Sequence, residues 1–293
     1  MARILCVGIA VLDITATVER FPAEDDELRA RALALTRGGN AANTLTVLQQ
    51  YGHDCYWAGM LGGDLFSSFL IEDFQRHGID LRYARREPEG RTPLSLITRN
   101  RTNGSRTIVH YRELREFDFE DFRRIGRPQF DWIHFEGRNP AQTRKMIEAV
   151  LEQPSPPSVS IEIEKPRPDE EQLHLPVHTV VFSSRYARQR GFADGKSFLL
   201  AQRPHFPRSH LVCAWGEQGA TGLSADNEAV HCPAVIPRQV VDTLAAGDTF
   251  NAGLIHHLLR GDPLKTAIAG ATALAGHKCG RFGLDNLLAN QHP

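Results

Sequence analysis

Lysine is scarce in this chain: of its 34 basic residues only Lys145, Lys165, Lys196, Lys265 and Lys278 are lysines, and the arginines that make up the rest form no basic block. Set against 35 acidic residues they leave a net charge of −1, which removes the electrostatic footprint of a nucleic-acid binder or a membrane-surface protein. Cysteine is scarce too. Cys6, Cys55, Cys213, Cys232 and Cys279 make no C-x-x-C pair, and the first three of those sit or start in apolar runs. Reduced core thiols in a cytoplasmic protein are therefore expected, with no disulfide or zinc framework. No apolar stretch reaches the roughly 20 residues that cross a bilayer, and a strand-like run stands where a signal peptide would. The 13 histidines do not make a metal site either, because His256 and His257 are adjacent on a helix and diverge, with no third ligand at useful spacing. A nicotinamide-dependent oxidoreductase needs a G-x-G-x-x-G turn after the first strand, where this chain has GIAVLD.

What is present reads as a soluble globular chain, 41% apolar and 24% charged, near the upper size for one core at 293 residues. Apolar runs alternate with helical patterns, which predicts a doubly wound, mostly parallel α/β sheet with helices on both faces. The runs predict strands at Ile4–Val11, Cys55–Ala58, Trp132–Phe135, Ser158–Glu164, Thr179–Phe182 and Leu211–Trp215. Helices are expected over Ala41–Tyr51, Phe66–His77, Ala141–Glu152, Ser184–Arg190, Thr249–Leu259 and Pro263–Gly276. Two stretches break the rhythm, at about 12–36 and 92–112. The second contains PLSLITRN, a turn at Asn103-Gly104, then RTIVHY, the pattern of a β-hairpin. Together they predict a small β-sheet lid on a single domain, over the strand ends where doubly wound folds bind ligands.

Two segments carry chemistry. VDTLAAGDTFNAG, from Val241 to Gly253, sets small residues and an acid at the start of an apolar helix, whose unpaired amides suit an anion. Asp248 beside such a nest would repel a phosphate merely held there. It makes sense as the group that takes a proton from a nucleophile attacking the phosphate. In RGGNAAN, Arg37 to Asn43, paired glycines allow close backbone approach before a helix. Asn40 and Asn43, three apart, present amides that match a polyol's hydroxyls. Asn40 acting only as a helix cap is the competing reading.

These two segments resemble the signatures of the ribokinase-like (PfkB) carbohydrate kinases. ILCVGIAVLD, NGSRTIVHY, FDWIHFEGRNP, VSIEIEKPR, LVCAWGEQGA and GHKCG extend the resemblance to the ketohexokinase branch over the whole chain. The resemblance implies a ribokinase-like fold and transfer of the γ-phosphate of ATP to a sugar hydroxyl, with Mg²⁺, most simply to O1 of a ketohexose such as fructose. It implies Asp248 as general base, Ala245, Ala246 and Gly247 as the anion hole, and Arg106 as a lid residue reaching both phosphate and sugar. Asp13, Gly39, Asn40 and Asn43 match sugar-binding positions. Trp215, Gly216, Glu217 and Gly219 match a nucleotide segment, with Asn251 and the Cys279-Gly280 turn beside adenine. Asp242 and Thr243 match ligands of a monovalent cation such as K⁺. A homodimer through the lid is implied as well. Other sugars, sugar acids, nucleosides and a catalytically silent sensor remain as alternatives. The chain departs from the expected pattern in three places, one of them GMLGGDLF, which runs closer to other sugar kinases than to animal ketohexokinase. Ala245 replaces a glycine and is tolerable there only with negative φ, and an N-x-x-E magnesium motif is missing, with Glu162-Ile163-Glu164-Lys165 in its stead.

Overall fold

Residues 1–126 and 129–289 are described by the structure, a computed structural model. It opens with β1 (Arg3–Val7), whose side chains alternate between two apolar layers, Ile4 and Cys6 to one, Leu5 and Val7 to the other. The strand expected to run on to Val11 stops at Gly8, and β2 (Val11–Val18) belongs to a different sheet. Asp13 therefore lies on a lid strand and not at the end of the first strand. Next come β3 (Ala32–Gly38), α1 (Asn40–Gln50), β4 (Asp54–Ala58), β5 (Met60–Leu61), α2 (Leu65–Arg76) and β6 (Arg85–Arg86). The hairpin of β7 (Leu94–Asn100) and β8 (Arg106–Tyr111) turns at Asn103-Gly104 as its sequence predicts. The chain continues through α3 (Phe119–Arg123), β9 (Trp132–Glu136), α4 (Pro140–Leu151), β10 (Ser158–Ile163), β11 (Thr179–Ser183), α5 (Ser184–Gln189) and α6 (Gly195–Gln202). It ends with β12 (His210–Ala214), β13 (Ala220–Leu223), β14 (Ala229–Cys232), α7 (Ala246–Leu259) and α8 (Leu264–Cys279).

The main sheet has the order β14-β13-β12-β11-β10-β9-β1-β4, parallel from β12 to β4, with β13 and β14 antiparallel at one edge. One face packs on α1, α2, α7 and α8 through Leu45, Leu48, Phe74, Ile255 and Leu274. The other packs on α4, α5 and α6 through Met146, Ile147, Val150, Tyr186 and Phe198. Because β1 has β4 on one side and β9 on the other, the chain changes direction across the sheet there. Such a switch point leaves a crevice at the carboxyl ends of the strands.

The lid is a second sheet in the order β3-β2-β7-β8. Register sorts its side chains, since residues directly opposite share a face. Thr36, Asp13, Ser95 and His110 make one polar row, whereas Leu35, Ile14, Leu96 and Val109 make an apolar one. Asp13 and Ser95 of the polar row are buried, while Leu35, Leu96 and Val109 are exposed, so the apolar row faces outward. The lid is tied to the crevice at both ends. Its β2 leaves β1 through Gly8–Ala10, and its β3 runs through Gly39 into α1. The two connections cross closely, for a Cβ on Gly39 (φ +108°) would lie 2.0 Å from the Ile9 carbonyl oxygen. Only glycine fits.

Candidate active site

The amino ends of α1 and α7 converge on the carboxyl ends of β9 and β10. Helix α7 begins after Ala245, whose φ of +60° and ψ of 16° are left-handed. The expectation of a negative φ at Ala245 is thus overturned. The loop needs this conformation to turn the first helical amides outward, and alanine adopts it at a cost of roughly 1–2 kcal/mol. Among the described residues the amides of Gly247 and Asp248 meet no acceptor, while that of Thr249 bonds the Ala245 carbonyl at 2.9 Å. A Cβ on Gly247 would meet nothing within 4 Å, so the approach to those amides is open. The open amides at this helix start are thus those of Gly247 and Asp248, while the Ala246 amide approaches the Thr243 carbonyl at 3.4 Å.

Asp248 lies in the first turn of α7 and is buried. Its Oδ2 accepts a 2.8 Å hydrogen bond from Asn43 Nδ2. Burial pushes its carboxyl well above the ordinary 3.8; the Asn43 bond opposes this, and Glu136, Glu164 and Asp13 add to it. Asn40 does not cap α1. The cap residue is Gly39, and Asn40 Nδ2 donates to Glu162 Oε2 at 2.9 Å. That leaves the Asn40 carbonyl oxygen to accept from a ligand. Asp13 packs its carboxylate against Gly38, where a Cβ would lie 2.3 Å from Oδ2. Burial raises the Asp13 carboxyl, partly offset by the Ser95 bond and by the charges of Arg37 and Arg106. Arg106 reaches across from β8, its Nη1 donating to Thr243 Oγ1 at 3.1 Å. The lid and the amide cradle are therefore already in contact.

Two carboxyls of this cluster were not assigned from the sequence. Glu136, at the end of β9, accepts from the Ala41 amide at 2.8 Å and the Ile9 amide at 3.3 Å, which ties α1 to the lid connection. Glu162, in β10, takes Asn40 on one oxygen and Asn251 Nδ2 on the other at 3.0 Å. Burial and then the neighbouring Asp248 push the Glu162 carboxyl up. Both lie at the carboxyl ends of central parallel strands, and that position was the available signal.

The residues expected around the nucleotide lie as follows. Asn251 is buried and its Nδ2 donates to Glu162. Gly280 does line a cleft of about 450 Å³, with Val235, Pro237, Gln239, Ala273 and His277. Cys279 holds the cleft's edge, its carbonyl accepting from Val241 at 2.8 Å. Trp215 is largely buried under Arg188 and lines a second cleft of about 330 Å³ with Lys196, Gln218, Thr221 and His231, while Gly216 and Glu217 are exposed on the turn that follows. Gly219 packs so tightly that a Cβ would meet the Cys232 carbonyl oxygen at 2.0 Å.

Asp242 and Thr243 do not fit a monovalent cation. The fully buried Lys278 puts its Nζ 2.6 Å from Asp242 Oδ2 and 2.8 Å from the Asp242 carbonyl oxygen. Asp242 Oδ1 accepts from the Leu244 amide at 2.9 Å, and Thr243 Oγ1 accepts from Arg106. A second cation on these oxygens would face a buried ammonium. Among the described residues no helix is long and apolar enough to cross a membrane, and no group of three or more His, Cys, Asp or Glu side chains is placed to hold a metal ion.

The pattern of the pfkB family carbohydrate kinases matches residues 1–150 and 198–290. Ketohexokinase of Mus musculus is 39% identical over 98% of this chain and 99% of its own length. Fructosamine kinase FrlD of Bacillus subtilis (strain 168) is 24% identical over 84% of each chain. Among solved structures, a putative ribokinase from Agrobacterium tumefaciens superposes with a TM-score of 0.81 at 24% identity, covering 96% of this chain and 92% of that one.

Proposed function

Because the chain belongs to the pfkB family of carbohydrate kinases and is an ATP-dependent carbohydrate kinase of that family, we propose that its acceptor is a ketohexose such as fructose, phosphorylated at O1. The observation that carries this reading is the 39% identity to a ketohexokinase along essentially the full length of both chains. The site is compatible in its chemistry. The polar lid row of Asp13, Ser95 and His110 and the free Asn40 carbonyl offer acceptors and donors to several hydroxyls of one sugar.

Phosphoryl transfer needs positioning and charge stabilisation more than covalent help. Asp248 takes the proton of the attacking primary hydroxyl, and its raised affinity for protons suits a base working near neutral pH. The open amides of Gly247 and Asp248 hold the transferring group, with Arg106 neutralising charge from the lid side. The base of ATP enters the cleft at Gly280. Mg²⁺ bound with the phosphates would need only one or two protein carboxylates. Hard carboxylate oxygens beside Asp248 fit it. Glu162 spends its oxygens on Asn40 and Asn251, so the half-exposed Glu164, just after β10, would hold the ion, which would shield the negative charge of the phosphates. The lid, closed over the crevice, keeps water from competing as acceptor.

The outward row of Leu35, Ile14, Leu96 and Val109 is covered by a second copy of the chain in a homodimer, since an exposed apolar sheet invites pairing. Sedimentation should give a dimer for the native chain and a monomer for Leu96→Glu/Val109→Glu. A native chain that sediments as a monomer removes this part of the reading. The enzyme works in the cytoplasm, where ATP and reduced thiols coexist.

An ATP-consumption assay over ketoses, aldoses, sugar acids, fructosamines and nucleosides tests the acceptor. Fructose should show the highest kcat/KM, with the product identified by NMR as the 1-phosphate. A tenfold preference for a nucleoside or a fructosamine, or phosphorylation at another hydroxyl, overturns it. Arg106→Ala should lower kcat/KM for ATP by about 10–10²-fold, somewhat less than a buried oxyanion donor because Arg106 is exposed and screened. Unchanged steady-state constants would exclude Arg106 from the site.

A further inference from the structure

Arg37, which the sequence presents only as the residue ahead of two glycines, ends up buried behind the proposed base. Its Nε donates to Asp73 Oδ2 of α2 at 2.7 Å, its Nη2 donates to Thr46 Oγ1, and its guanidinium lies 4.5 Å over the Phe74 ring. Its Nη1 approaches Asn43 Oδ1 at 3.5 Å, long for a hydrogen bond but favourable as a charge–dipole contact. Asn43 is the residue whose Nδ2 bonds Asp248. A side-chain amide has one accepting and one donating end. With a fixed cation at the carbonyl and a carboxylate at the nitrogen, the flipped amide would be repelled at both ends.

We propose that Arg37 is a positioning residue for phosphoryl transfer, which locks the Asn43 amide with its N–H toward Asp248 and supplies a buried positive charge behind that carboxylate. The inference rests on the reading of Asp248 as general base. It resolves an electrostatic problem that this reading leaves open. Asp248 faces Glu136 from β9, Glu164 from just after β10 and Asp13 from β2, and Glu162 of β10 lies beside it, all of which oppose its ionisation along with burial itself. On the other side stand the Asn43 amide of α1, Arg37 of β3 and, on the lid, Arg106 at Thr243. Without a compensating charge the base would stay protonated at working pH. Arg37 stays charged at this depth because Asp73 faces it. Burial raises the Asp73 carboxyl, but the His77 bond and the Arg37 charge outweigh burial and hold it well below the usual range. Asn43 thereby becomes a residue that orients the base.

The test is the pH profile of kcat/KM for fructose and ATP in the native enzyme, Arg37→Gln, Arg37→Lys and Asp73→Asn, with thermal melts to establish folding. Removing the positive charge should move the acidic limb of Arg37→Gln to higher pH by about one unit, about a tenfold loss below the limb. Arg37→Lys keeps the charge but not the fork, so the limb should stay while kcat falls. Asp73→Asn removes the balancing negative charge and should move the limb to lower pH, opposite to Arg37→Gln. A purely structural role would lower kcat without moving the limb. A limb fixed in folded Arg37→Gln overturns the proposal, as does an upward shift in Asp73→Asn, which decides alone if Arg37→Gln does not fold. If Asp248→Asn kept near-native turnover the general-base reading would fail instead, so the two failures are distinguishable.

Discussion

Asp248→Asn is expected to lower kcat by about 10²–10⁴ while the Kd for the sugar changes little, the scale of a lost general base. Asparagine keeps the shape, and its carbonyl can still accept from Asn43, so what is lost is the basic oxygen. Affinity should survive because Asn40, Asp13 and the lid row meet the sugar independently of it. The native enzyme should also lose kcat/KM as pH falls through the near-neutral range, because burial has lifted the Asp248 carboxyl far from its ordinary 3.8. The same lift has a consequence for stability. Above pH 3.8 the unfolded chain has released this proton while the folded one retains it. The native state then binds more protons, so its stability declines with rising pH up to the raised folded value. Asp248→Asn removes that decline. Its melting temperature should match the native enzyme's in acid and exceed it at pH 8. A variant with near-native kcat removes Asp248 from the proton transfer, and one no more stable at pH 8 removes the claim that its charge is strained.

Much of this site is legible in the sequence because its groups sit at element ends, where periodicity stops and small or polar residues announce a turn. The AAGD segment and the RGGNAAN segment both do so, and the six parallel strands follow from uninterrupted apolar runs. The strands β13 and β14 escaped because runs of only four residues without a clear alternation carry little signal. The false continuation of β1 into Val11 has a different origin. IAVL is as apolar as ILCV, and only the crossing at Gly39 shows that the chain changes sheets. Side-chain partnership was the least legible layer. Asn251 looked like a pocket residue from its place in the motif, yet the partner that claims it, Glu162, lies 89 positions away in sequence. Arg37 and Asp73 are likewise joined across 36 positions by packing alone.

Lys278→Met should cost about 3–5 kcal/mol, because deleting one partner of a buried ion pair leaves the other uncompensated. At roughly 2–4 °C per kcal/mol for a domain of this size, the melting temperature should fall by about 10 °C. Methionine fills nearly the same volume, so the loss is electrostatic and not a cavity. Among the described residues, Asp242 is then left with a charge and a carbonyl that no other side chain meets, and only the Leu244 and Gly283 amides, the latter at 3.4 Å, remain to hold its carboxylate. Adding Asp242→Asn to Lys278→Met should therefore recover part of the loss, since a neutral amide is cheaper to bury than an unpaired carboxylate. The functional cost follows from place. Asp242 begins the loop that carries Ala245 into its left-handed turn, and that turn opens the Gly247 and Asp248 amides. Loosening the anchor should lower kcat as well as stability, even below the melting transition. If Lys278→Met melts within about 2 °C of the native chain, the ammonium is not holding Asp242 in place. If it destabilises the fold yet leaves kcat untouched, the anchor does not govern the geometry of the amide cradle.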